Sequence, residues 1–116
     1  FIQPGTHLNA AGGNHYTRRE LDDDAVLNCD LIVTDDIHQA RVECGDLIGV
    51  IDRGLVQWQN IHQMSDIVSG RKKGRNNNNQ ITLFESQGLA IQDLTAATQI
   101  YSKAIQQKIG KTVNIN

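Results

Sequence analysis

The chain has 116 residues, 39% of them hydrophobic and 21% charged, with a formal net charge of −2 from 11 basic and 13 acidic side chains. This is the composition of one small globular unit or a piece of a larger one. It excludes the basic footprint of a nucleic-acid binder and a polybasic membrane patch, and apolar runs as short as Leu31-Ile32-Val33 exclude a spanning helix.

Along the chain, Pro4-Gly5 and Gly12-Gly13 punctuate a short strand between two turns. Asp22-Asp23-Asp24 suit a helix N-terminus, where carboxylates meet the positive end of the dipole, and Ala25, Val26 and Leu27 supply its buried side. Asp30 to Thr34 is a β-branched run bounded by acids, the pattern of a strand buried on both faces of a parallel sheet. Asp35-Asp36 then cap a helix, and Ile37, Ala40, Cys44, Leu47 and Ile48 give it one apolar face over residues 36 to 48. The stretch from Gly49 to Gly54 breaks the pattern.

Ile61, Met64, Ile67 and Val68 predict a second short helix stopped by Gly70. A basic, then Asn-rich loop covers Arg71 to Asn79. Ile81 to Glu85 is rich in strand formers, and Ser86-Gln87-Gly88 is a turn. From Leu89 to Ile109 the spacing predicts a long helix with Ala90, Leu94, Ala97, Tyr101 and Ile105 on one face and Gly110 at its end. So wide an apolar surface points to a helix that packs on more than this chain supplies. Strand and helix alternate in short units, which predicts an α/β layer with parallel strands.

No self-contained catalytic motif is present, and His7, His15, His38 and His62 lack metal-ligand spacing. Cys29 and Cys44 read as small buried side chains. Gly12-Gly13-Asn14 after a strand is either an ordinary turn or a place where a ligand meets the backbone. Ser86 either caps the long helix or opens a site at its N-terminal amides. Arg71, Lys72, Lys73 and Arg75 read as a solvated face or a phosphate contact, and Trp58 and Tyr101 as packing groups. The sequence starts at Phe1, which points to processing or to a fragment. It shows no basic stretch leading into an apolar one, so a reducing cytoplasm is the expected compartment.

Three blocks, Pro4 to Gly13 with Arg19-Glu20-Leu21-Asp22, Ser69-Gly70-Arg71 with Gly74-Arg75, and Ile81 to Leu94, resemble in order and spacing the C-terminal third of the ornithine cyclodeaminase and mu-crystallin family. The resemblance spans roughly residues 4 to 105. It implies the end of a Rossmann-type parallel sheet followed by a strand and a long helix returning to a dimerisation and substrate domain. On that basis residues 1–55 would be the C-terminal part of an NAD(P)-binding domain, 56–79 a connecting helix and polar loop, and 80–116 part of the substrate and dimer domain. The family's members are NAD(P)-dependent homodimers acting on small amino or cyclic imino acids. Their Gly-rich fingerprint and carboxylate-binding basic residues would lie before Phe1.

Carried over residue by residue, Ala11, Gly12 and Gly13 match the turn against the nicotinamide half of the cofactor, and Ser86 a cofactor-contacting serine. Gln87 matches a substrate-side position, and Arg18 stands where cyclodeaminases carry a cofactor-contacting lysine. Asn14 stands where cyclodeaminases and the alanine dehydrogenases carry an acid–base aspartate. An amide cannot exchange a proton at neutral pH, so Asn14 can orient a group but not do that work. The expected function is the C-terminal portion of an NAD or NADP oxidoreductase on a small amino acid or ketimine. The alternative is a cofactor-binding or dimerising module without catalysis, or an inactive truncated fragment.

Overall fold

Alternating apolar runs and acid or glycine breaks become nine strands and α-helices among the described residues. They are β1 (His7–Ala10), α1 (Asp23–Leu27), β2 (Leu31–Thr34), α2 (Ile37–Glu43), α3 (Gly45–Asp52), β3 (Ile61–Gln63), α4 (Met64–Val68), β4 (Thr82–Glu85) and α5 (Ala90–Gln107). The structure is a computed structural model and describes residues 2–114. The strands form one parallel sheet in the order β1-β4-β2-β3. Its fold class is therefore α/β with a parallel sheet and a long C-terminal helix.

Side chains alternate across each strand. Ala10, Ile32, Leu83 and Ile61 turn to one face, where Val26 of α1, Ala40 of α2 and Leu47 and Val50 of α3 bury them. The other face carries His7, Val33 and Phe84, with Met64 and Ile67 of α4 beside them around a depression of about 410 Å³. Asp22 caps α1 by accepting the Ala25 N–H at 2.8 Å, and Asp36 caps α2 by accepting that of Gln39 at 2.8 Å.

Some expectations are corrected. The single helix over 36–48 is two helices, because Cys44 leaves the helical region with ψ 90°. Gly45 explains the break: a side chain there would overlap the backbone carbonyls of Arg18 and Tyr16, so the chain bends where it must pass that loop. Gly49 does not stop the second helix, which runs on to Asp52. Ile61 belongs to a three-residue strand, and the helix starts only at Met64. Ser86 does not cap α5, whose N-cap position is Leu89. The left-handed residue that closes α5 is Lys108, at φ 54°, two positions before Gly110.

The sheet draws strands from all three stretches set apart by the resemblance: β4, at 82–85, lies between β1 and β2. Only the segment beyond β4 leaves the sheet layer. α5 is about 27 Å long at 1.5 Å per residue and has no buried residue. Ile91, Leu94, Tyr101 and Ile105 are exposed on it. No helix among the described residues is long and apolar enough to cross a membrane.

Candidate functional site

In a parallel sheet all carboxyl ends lie on one edge, and the loops leaving them are where such sheets meet ligands. Here the register puts Ala10, Glu85 and Thr34 side by side across β1, β4 and β2. The loops that leave these ends carry Ala11 to Asn14, Ser86 to Gly88, and Asp35-Asp36. The fold thus brings Ala11, Gly12 and Gly13 beside Ser86 and Gln87, from segments more than 70 residues apart. The Ser86 N–H donates to the Ala10 carbonyl at 2.9 Å and ties the two loops at their base.

Each loop is organised by a carboxylate. Glu20 Oε1 accepts the N–H of Gly12 at 2.5 Å and of Gly13 at 2.7 Å. Glu20 is itself located by Asp46, whose Oδ1 accepts the Glu20 and Leu21 N–H groups at 3.0 Å each. On the neighbouring loop, Asp35 Oδ2 accepts from the Ser86 hydroxyl at 3.1 Å and from the N–H groups of Gln87 at 3.0 Å and Gly88 at 2.9 Å. The other oxygen of Asp35 accepts the Asp36 N–H at 2.9 Å. Gln39 completes the frame by donating to the Gly88 carbonyl at 3.2 Å.

The edge is therefore rich in acids, and one of them titrates abnormally. Glu85 is 1% exposed, and its carboxyl is pushed up to about 8, by burial first and then by the negative charges of Asp46 and Glu20. Its Oε1 has no partner among the described residues. The Cys44 thiol faces its Oε2, and burial together with that acid pushes the thiol far up. Cys29 is likewise raised, to about 11, by burial and by Asp30 and Glu85. Neither thiol has the lowered pKa of a nucleophile.

Among the other sequence candidates, Gly13 is buried, whereas Ala11, Gly12, Asn14 and Arg18 are exposed. The backbone of Arg18 is held by its N–H to the His15 carbonyl at 2.8 Å and passes over Gly45. Gln87 is buried, and its amide nitrogen and oxygen have no partner among the described residues. The basic loop is neither wholly solvated nor gathered into one patch. Arg71 pairs with Asp66 at 2.9 Å, and Arg75 donates to the Gly5 and Thr6 carbonyls and the Thr82 hydroxyl at 2.8, 3.0 and 2.9 Å. Trp58 lies under the Arg41 guanidinium, 4.9 Å from its ring centre, while Tyr101 is exposed rather than packed. No group of three or more His, Cys, Asp or Glu is placed to hold a metal ion among the described residues.

Sequence reasoning missed Asp35, Glu20 and Asp46 as organisers of this edge, and Glu85 as the buried acid beside them. The local signal for Asp35 was an acid directly after a buried strand, which equally suits a helix cap.

The chain matches the model of the ornithine cyclodeaminase/mu-crystallin family over residues 1–108. It is 34% identical over 113 residues to a Delta(1)-pyrroline-2-carboxylate reductase of Bacillus cereus, covering 97% of this chain and 35% of that protein. The Thermococcus litoralis Delta(1)-pyrroline-2-carboxylate reductase, solved with NADH and L-proline, superposes with a TM-score of 0.86 at 40% identity, over 97% of this chain and 35% of that one. An archaeal alanine dehydrogenase dimer with bound NAD superposes at 0.81 with 30% identity, over 99% of this chain and 36% of that one. The chain thus spans about a third of the length of these relatives. With nearly its whole length matched, its parallel sheet shared, and its glycine and serine loops set side by side, the chain belongs to the ornithine cyclodeaminase/mu-crystallin family.

Proposed function

We propose that this chain is the C-terminal portion of an oxidoreductase that uses NAD or NADP and interconverts a small cyclic imino acid, or a small amino acid, with its redox partner. The observation that carries the reading is the meeting of the Gly12-Gly13 turn and the Ser86-Gly88 loop at the adjoining carboxyl ends of β1 and β4. It is supported by solved relatives that hold NADH with L-proline, or NAD.

The residues present fit the nicotinamide end of such a cofactor. The two glycines leave the end of β1 without bulk, and Ser86 offers a half-buried hydroxyl beside them. When bound, the cofactor supplies hydride chemistry. The chain's own part is to seat and orient. Ala11, Gly12 and Gly13 form the floor, Ser86 fixes the cofactor edge, and Arg18 reaches it from the following loop. Asn14, exposed next to the turn, orients the substrate by hydrogen bonding. Its amide exchanges no proton, which favours imine reduction over cyclodeamination. Gln87 carries two buried polar atoms that still need partners, which suits a place on the substrate side. In the whole protein α5 leaves the cofactor unit and packs into the substrate and dimerisation unit, so the functional form is a homodimer.

The test is the full-length protein assayed for NADH and NADPH oxidation with Δ1-pyrroline-2-carboxylate, and with pyruvate plus ammonium. Turnover with the cyclic imine is expected, and absence of turnover with every imino and amino acid tried removes the reading. A second reading, a dimeric module that binds cofactor without catalysis, is favoured by Asn14. Tight cofactor binding without turnover would select it.

A further inference from the structure

Ser86 has a single hydroxyl proton, and that proton is directed to Asp35 Oδ2 at 3.1 Å. The same oxygen takes the N–H groups of Gln87 and Gly88. Asp35 is 5% exposed and is anchored by accepting the N–H of Asp36 on its other oxygen, so it cannot swing toward solvent without leaving several donors unpaired. At the end of β1, Glu20 occupies the N–H groups of Gly12 and Gly13 in the same way. In the two loops the N–H groups of Gly12, Gly13, Gln87 and Gly88 and the Ser86 hydroxyl are therefore already engaged by carboxylates. At Ser86 itself what remains is an acceptor, the lone pairs of its Oγ. The two carboxylates behind the loops add negative potential.

We propose that Asp35 fixes Ser86 as a hydrogen-bond acceptor, so that the group received at Ser86 must carry an N–H donor. The inference rests on the nicotinamide cofactor reading above, and within it the donor is the carboxamide NH₂ of the nicotinamide ring. Asp35 touches neither cofactor nor substrate; it is a positioning residue that acts through Ser86.

The test compares two ligands on the full-length protein by calorimetric titration. One is NAD, and the other is its 3-acetylpyridine analogue, in which a methyl group replaces the carboxamide NH₂. NAD is expected to bind about tenfold more tightly, the worth of one well-made hydrogen bond. In Asp35→Asn the freed Ser86 hydroxyl can turn and donate to the acetyl oxygen, so the ratio falls toward one. Ser86→Ala gives the same collapse of the ratio and serves if Asp35→Asn does not fold. Without ligand, the Gln87 and Gly88 amides are expected to exchange with solvent at least tenfold faster in Asp35→Asn. Equal binding of NAD and its analogue to the wild type overturns the inference and leaves the cofactor reading standing. A ratio unchanged in both variants also overturns it. If neither ligand binds the wild type, the cofactor reading falls and takes the inference with it.

Discussion

The Cys44 thiol and a carboxyl oxygen of Glu85 lie 3.5 Å apart, sealed between the sheet and the start of α3. Burial and the nearby Asp46 and Glu20 hold the Glu85 carboxyl at about 8, against 4.5 without the fold. The folded chain therefore keeps a proton that the unfolded chain releases. The stability this contributes is full below pH 4.5, declines as pH rises, and is gone above about 8. Glu85→Gln removes the titration. The variant is expected to gain on the order of 4 kcal/mol over the parent at pH 8 and nothing near pH 4. Urea denaturation across that pH range measures it, and parallel curves for the two proteins would show Glu85 to be ordinary.

Asp46 and Glu20 act in series, and their removal should be told apart by what each leaves behind. Asp46→Ala strands two N–H donors beside a buried position, at a cost of ~2–4 kcal/mol. Glu20→Ala opens its donors to a wetter surface and costs ~1 kcal/mol, but frees the Gly12-Gly13 turn. The denaturant midpoint should fall sharply only in the first variant. Amide exchange at Gly12 and Gly13 should quicken in both.

Gly45 stands where the loop after β1 crosses the start of α3. A methyl group there meets the Tyr16 carbonyl at 2.8 Å and overlaps that of Arg18 outright. Backbone cannot rotate aside as a side chain can, so Gly45→Ala is expected to cost ~2–3 kcal/mol. The melting temperature should drop, and Gly49→Ala, whose nearest neighbours are two flexible arginine tips, is the control that should hardly move it.

The apolar stripe of α5 is exposed through Ile91, Leu94, Tyr101 and Ile105. If this stripe meets the dimerisation unit, Leu94→Asp in the full-length protein should shift sedimentation toward the monomer. Gln99→Asp on the same helix should not. Equal sedimentation of the two variants would place the dimer contact elsewhere.

Much of the architecture was legible because its signals are local. β2 and β4 are β-branched or aromatic runs between acids and glycines, and α5 shows its period for five turns. The break at Cys44 was not legible, because the apolar spacing of Ile37, Ala40, Cys44 and Leu47 continues across it. Its cause is a loop far upstream, between Tyr16 and Arg18. β3 was missed because three residues carry too little pattern to separate a strand from the helix after it. At the candidate site, glycines and a serine after strands marked the two loops. Asp35 was readable only as a cap, and Glu20 only as part of a block that resembles the family. Their partners are fixed by strand order, with β4 between β1 and β2, and strand order is not written in any local stretch.

That order also sets a timetable. β4 is the last strand among the described residues and lies between β1 and β2 in the sheet. His7 and Thr82, hydrogen-bonded at 2.7 Å, are 75 residues apart. As this stretch emerges during synthesis, β1 and β2 are both made before the strand that lies between them. The two are joined only when residues 82–85 insert, and joining segments so distant in sequence is slow.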